Sequence, residues 1–67
     1  MLNMTEESKL FLTKYLPEIL TSEDIVFSLD LLYDWIDVNG FAPPHYDEYN
    51  DLGYAAQRVY DDLYYSN

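Results

Sequence analysis

Helix breakers leave this chain little choice of architecture. Pro17 interrupts one apolar-periodic stretch, and Asn39-Gly40 followed by Pro43-Pro44 closes the next. Proline removes a backbone donor and clashes with the turn before it, and it pushes the preceding residue toward extended conformations. Between these breakers the apolar residues recur at spacings of three and four, the period of a helical face. No segment alternates polar and apolar residues for long enough to make a strand. The expected fold is all-α: a small three-helix bundle with helices near residues 5–16, 22–38 and 46–64, joined by short connections between antiparallel neighbours.

Each helix carries its own start and stop signals. Asn3 and Glu6 have capping-box spacing, with Thr5 as an alternative cap, and Met4, Ser8, Phe11, Leu12, Tyr15 and Ile19 then fall on one face. Thr21-Ser22-Glu23-Asp24 offers hydroxyl caps and two acids at an electropositive helix start. Ile25, Leu29, Leu32, Tyr33 and Ile36 make the stripe of that second helix, while Glu23, Asp30, Asp34 and Asp37 line another face. Gly40 suits a left-handed C-terminal cap, and Phe41 is expected to plug the core ahead of the Pro43-Pro44 connector. The third helix has Tyr49, Leu52, Ala56, Val59 and Leu63 on its stripe. Gly53 within it costs about 1 kcal/mol relative to alanine, which points to the close approach of another helix. The expected core is Phe11, Leu12, Leu29, Leu32, Ile36, Leu52, Val59 and Leu63.

A chain of 67 residues makes one domain, here expected over residues 1–67, and its 49% hydrophobic content sets it apart from disordered composition. There is no cysteine and hence no disulfide, which fits a reducing compartment. Nothing at the N-terminus resembles a secretory signal, so the expected location is the cytoplasm. Apolar runs such as Leu31-Leu32-Tyr33 are far shorter than the roughly 20 residues that span a bilayer. Thirteen carboxylates stand against Lys9, Lys14 and Arg58, a net charge of -10. Such a surface repels phosphates and anionic headgroups and attracts basic surfaces. The expected partner is a protein with a basic surface, with no direct nucleic-acid binding and no membrane contact.

Residues for catalysis are sparse. His45 is the single histidine, placed near a helix N-terminus where the dipole disfavours its charged form. Asp47, Glu48 and Asp51 lie within one helical turn, but a solvated helix start accounts for them, and three short helices leave little room for a deep pocket. Asp37-Val38-Asn39-Gly40 has the look of a calcium loop until the register is checked. With Gly40 at the sixth position, Trp35 and Tyr46 occupy the first and twelfth, where carboxylates are required. No catalytic, metal or cofactor site is expected, and the chain is read as a non-enzyme.

Tyrosine is in excess, with eight in the chain, and Tyr54, Tyr60, Tyr64 and Tyr65 are spread around the third helix. Some of these rings must reach the surface beside Asp61 and Asp62. Either they form a protein contact, where tyrosine is enriched, or they half-bury their rings and leave their hydroxyls in water. Tyr60, Asp61 and Asp62 are the first candidate contact residues. Phe27, Asp30 and Asp34 on the second helix are the other set, with Phe27 near the acidic face and Trp35 off the main stripe. An exposed aromatic ringed by acids would serve a partner or the edge of a homo-oligomer.

Several segments carry a resemblance: Asn3-Met4-Thr5-Glu6-Glu7-Ser8, Leu32-Tyr33-Asp34-Trp35-Ile36-Asp37, Gly40-Phe41-Ala42-Pro43-Pro44, Tyr46-Asp47-Glu48-Tyr49-Asn50-Asp51-Leu52-Gly53 and Ala56-Gln57-Arg58-Val59-Tyr60-Asp61-Asp62. Over most of its length the chain resembles small acidic proteins of clostridial conjugative transposons, a family with no established activity or catalytic motif to carry over. The resemblance implies a mobile-element setting. In that setting the expected function is a small non-catalytic protein-interaction module. The alternative is an acidic DNA mimic that inhibits a host restriction enzyme, nuclease or DNA-binding protein.

Overall fold

The computed structural model describes residues 1–41 and 48–67. Pro43-Pro44, His45, Asp47 and the expected start of the third helix near Tyr46 lie outside the described residues. Among those described, the fold is an all-α bundle of four helices: α1 Glu6–Tyr15, α2 Pro17–Leu20, α3 Ile25–Asn39 and α4 Asp51–Ser66. The expected all-α bundle is present, and α2 adds a single helical turn to the three helices expected. Pro17 does stop α1, but its fixed φ and missing N–H also suit the first position of a new helix, which is where it sits.

Of the two caps available to α1, Thr5 takes the role, its Oγ accepting from the Ser8 amide at 3.2 Å. Asn3 instead ties the chain ends together. Its amide donates to Asn67 Oδ1 at 3.0 Å, and Asn67 Nδ2 donates back to the Asn3 carbonyl at 2.9 Å. Asp24 caps α3 by accepting from the Phe27 amide at 3.1 Å. Asn50 caps α4 by accepting from the Gly53 amide at 2.7 Å, so α4 starts at Asp51. The same Asn50 side chain donates to the Asn39 carbonyl at 2.9 Å, joining the start of α4 to the end of α3. Phe41 and Tyr49 close this corner with one antiparallel bridge and ring centroids 5.1 Å apart.

Two glycines make that corner tight. Gly40 does not adopt the expected left-handed cap, since its φ is -97°. Its role is spatial: a Cβ there would lie 3.0 Å from the Cα of Gly53, and a Cβ on Gly53 would lie 2.9 Å from the carbonyl carbon of Gly40. The close approach expected at Gly53 is present, and the turn after α3 supplies it.

From this corner α4 runs back along α3, and α1 lies antiparallel to α4. Of the expected core, Leu12, Leu32, Ile36, Val59 and Leu63 are buried, and Phe11 and Leu29 pack half-buried against them. Leu52 is corrected: it is half-buried and outside the core cluster, because Gly53 and Ala56 occupy the inward face at that end of α4. Leu2 from the chain start, Leu16 between α1 and α2, Ile19 from α2 and Ala56 from α4 complete the core. Ser28, on the inward stripe of α3, is fully buried, and its hydroxyl has no hydrogen-bond partner among the described residues. No helix among the described residues is long and apolar enough to cross a membrane.

Candidate interaction surface

α3 is apolar almost all the way round. Of its fifteen residues the only charged ones are Asp30, Asp34 and Asp37. A helix of that kind is ordinarily enclosed by neighbours on every side. α3 is not, and Phe27 remains 50% exposed, Tyr33 63% and Val38 80%. At about 100° per residue, Tyr33, Val26, Asp37, Asp30, Asp34, Phe27 and Val38 follow one another across an arc of about 140°. All seven are exposed. The carboxylates therefore form a central ridge, with Val26 and Tyr33 on one flank and Phe27 and Val38 on the other.

Both α3 flanks depart from the sequence reading in one residue. Tyr33, placed there on the buried stripe, lies at the edge of that stripe and faces solvent. Trp35, a candidate for exposure, is half-buried, with its ring centroid 5.6 Å from that of Phe11 and 5.4 Å from that of Tyr15. Phe27, Asp30 and Asp34 are brought together on the exposed face.

Tyr60, Asp61 and Asp62 are not brought together. Successive helical residues point about 100° apart, so the three project in three directions. Tyr60 is half-buried and packs against the core. Asp61 is exposed and accepts from Gln57 Nε2 at 3.1 Å, while Gln57 Oε1 accepts from the Tyr49 hydroxyl at 3.2 Å. Asp62 points the other way, to the start of α1. Its Oδ2 accepts from Ser8 Oγ at 2.6 Å and from the Thr5 amide at 2.8 Å, and its Oδ1 accepts from Ser66 Oγ at 3.1 Å. These donors, the Ser8 hydroxyl first and the Thr5 amide second, hold the carboxyl below the ordinary aspartate value of 3.8 against the opposing effect of burial. Asp62, expected as a contact residue, thus clamps the start of α1 to α4.

The seam where α3 meets α4 gathers the remaining parts. A shallow cleft of about 70 Å³ lies there, lined by Tyr33, Ile36, Asp37, Phe41, Tyr49 and Gln57. Tyr60 and Tyr64 continue the same side of α4, one turn apart. Asp37 thus stands on the α3 side of the seam and Asp61, tied to the lining residue Gln57, on the α4 side. Sequence reading placed Asp37 in the acidic row but could not show that it shares a cleft with Gln57.

Charge is segregated in the same sense. Among the described residues the ion pairs are Lys9 with Glu6 at 3.2 Å and the N-terminus with Glu23 at 3.7 Å. Asp30, Asp34, Asp37 and Asp61 have none among these residues. The three cations sit elsewhere: Lys9 and Lys14 on α1, and Arg58 at a second cleft, of about 160 Å³, between α1 and α4. That cleft is well below the several hundred cubic ångströms that enclose a typical small-molecule ligand. Among the described residues no group of three or more His, Cys, Asp or Glu side chains is placed to hold a metal ion. No family model matches this chain, and no match was found among curated proteins or solved structures.

Proposed function

We propose that this protein is a small non-catalytic interaction module that binds a basic partner protein through the exposed face of α3. The observation that carries this reading is the composition of that face. It consists of three carboxylates without ion-pair partners among the described residues and four exposed apolar or aromatic side chains, on a helix whose inward side already builds the core. Unpaired acids steer a basic surface into encounter, and the apolar flanks supply area whose burial gives affinity. Solubility alone accounts for the acids and leaves Phe27, Val26 and Val38 without a purpose. The setting in a conjugative element, which the sequence resemblance implies, belongs to the same proposal.

DNA mimicry also calls for rows of carboxylates. The apolar residues on both sides of the Asp30-Asp34-Asp37 ridge favour the protein reading, because a phosphate row is not flanked by apolar side chains. Affinity capture from cells that express the protein tests both readings. The parent should retain a partner in low salt, and Asp30→Asn with Asp34→Asn and Asp37→Asn should release it while the helical content stays unchanged. A partner held equally by parent and triple variant would refute the reading, as would capture of no protein at all. Displacement of the partner by duplex DNA would transfer the conclusion to mimicry.

A further inference from the structure

We infer that the partner presents a basic amphipathic helix, which lies in the seam between α3 and α4. This rests on the proposed function and specifies the element that docks. Four features of the seam select it. First, its cleft is lined by Tyr33, Ile36, Phe41 and Tyr49, and helical spacing sets Val26 beside Tyr33 on α3 and carries the Gln57 side of α4 on to Tyr60 and Tyr64. Second, the floor holds a socket, the cleft of about 70 Å³ beside Tyr33, a size that admits a short apolar side chain and no larger ligand. Third, both rims are acidic, Asp30 and Asp37 on one side and Asp61 on the other, none with an ion-pair partner among the described residues. Fourth, the long walls are α3 and α4, whose backbone donors and acceptors are engaged along their length, and Phe41 and Tyr49 at the corner pair with each other, so an incoming strand would find no sheet to extend.

A docking segment must therefore bind through side chains, with an apolar stripe pointing down and cations on both sides of it. A helix provides that arrangement. Residues at i, i+3, i+4 and i+7 form its stripe, and lysine or arginine at the flanking positions reaches the two rims. The spacing also fits. Asp30 and Asp37 are seven residues apart, about 10.5 Å along the axis, which two cations seven apart on an incoming helix match. A second copy of this chain is a poor occupant, because its own seam would bring carboxylates against carboxylates.

The test uses three synthetic peptides of about four turns, with binding read by fluorescence anisotropy and by the circular dichroism of the bound peptide. One has leucine on a helical stripe flanked by lysines, the second has the same composition scrambled to remove the stripe, and the third replaces the lysines with glutamates. The first should bind at least tenfold more tightly than the second, gain helicity on binding, and weaken at least tenfold against Tyr33→Ser with Asp61→Asn. Leu10→Ser, at an exposed position on α1 away from both helices of the seam, should leave it unchanged. If the scrambled peptide binds as tightly as the first and both weaken against Asp30→Asn with Asp34→Asn, the helical inference falls and the α3 contact stands. Stronger loss with Phe27→Ser than with Tyr33→Ser moves the site off the seam and overturns the inference in the same way. Binding insensitive to every one of these variants, or absent for all three peptides, overturns the inference and the proposed function together.

Discussion

α3 and α4 are nearly equal in length, fifteen and sixteen residues, and lie side by side, yet their outward faces differ in kind. α4 is sharply two-sided. Gly53, Ala56, Val59 and Leu63 turn inward, and Tyr54, Arg58, Asp61 and Tyr65 turn outward. Its exposed rings are all tyrosines, whose hydroxyls reach water. α3 keeps apolar residues on both sides, and Val26, Phe27 and Val38 have no polar atom to offer solvent. The amphipathicity of α4 is explained by folding alone. That of α3 is not, and the unexplained part is the part assigned to binding.

The contrast breaks first within α3 itself. Leu32 is fully buried, so Leu32→Ala should cost about 2–5 kcal/mol. In a domain this small that change should abolish most of the folded population, since the net stability of such cores is only about 3–5 kcal/mol. Phe27→Ala, on the opposite face, should leave the thermal midpoint within a degree or two of the parent. Equal losses in the two variants would mean that the outward face is structural after all.

Gly53→Ala tests the corner that fixes α4 against α3. In an exposed helix interior this change gains about 1 kcal/mol. Here the new Cβ meets the Gly40 backbone, which cannot rotate away, and overpacking of this kind costs about 1–3 kcal/mol. A denaturant midpoint that falls supports the close contact, and one that rises contradicts it.

Asp62→Asn separates the clamp from the proposed contact residues. The substitution should destabilise by about 1–2 kcal/mol at neutral pH, because charged hydrogen bonds to the start of α1 become neutral ones or are lost. A carboxyl held below 3.8 in the folded state stabilises the fold above that pH, and the contribution disappears as pH falls through the folded value. The gap between parent and variant should therefore be full at pH 5 to 7 and close below about 3.8, the parent and variant melts converging in acid. A gap independent of pH would show that shape and not charge is at work. Asp61→Asn, which touches only Gln57 on its own helix, should cost less stability than Asp62→Asn.

Ser28→Ala is the smallest effect. An unpartnered buried hydroxyl is costly, so its removal should be neutral or stabilising by up to about 1 kcal/mol. A clear loss of stability would reveal a hydrogen bond to the preceding turn of α3.

What the sequence made legible follows the range of the interactions. Helix placement, the caps at Thr5 and Asp24 and the burial of Leu32 and Leu63 depend on neighbours within a turn or two, and spacing reports those. The roles of Asp62 and Gly40 depend on residues far along the chain, Thr5 and Ser8 in one case and Gly53 in the other, and no local pattern encodes them. The candidate site was divided in the same way. Phe27, Asp30 and Asp34 share a face because helical geometry requires it. Tyr60, Asp61 and Asp62 are adjacent in sequence and for that reason diverge in space. The joining of Asp61 to the α3 carboxylates needs the packing of two helices, which the corner at Gly40 and Gly53 sets.

The most direct measurement of the central claim is a titration of the isotope-labelled protein with the leucine-lysine amphipathic peptide, followed through its backbone amide shifts. The largest changes should fall between Val26 and Val38 on α3, with a weaker set at Tyr60, Asp61 and Tyr64, and raised salt should diminish both. Changes concentrated at Tyr54, Arg58 and Tyr65, with α3 silent, would contradict that claim.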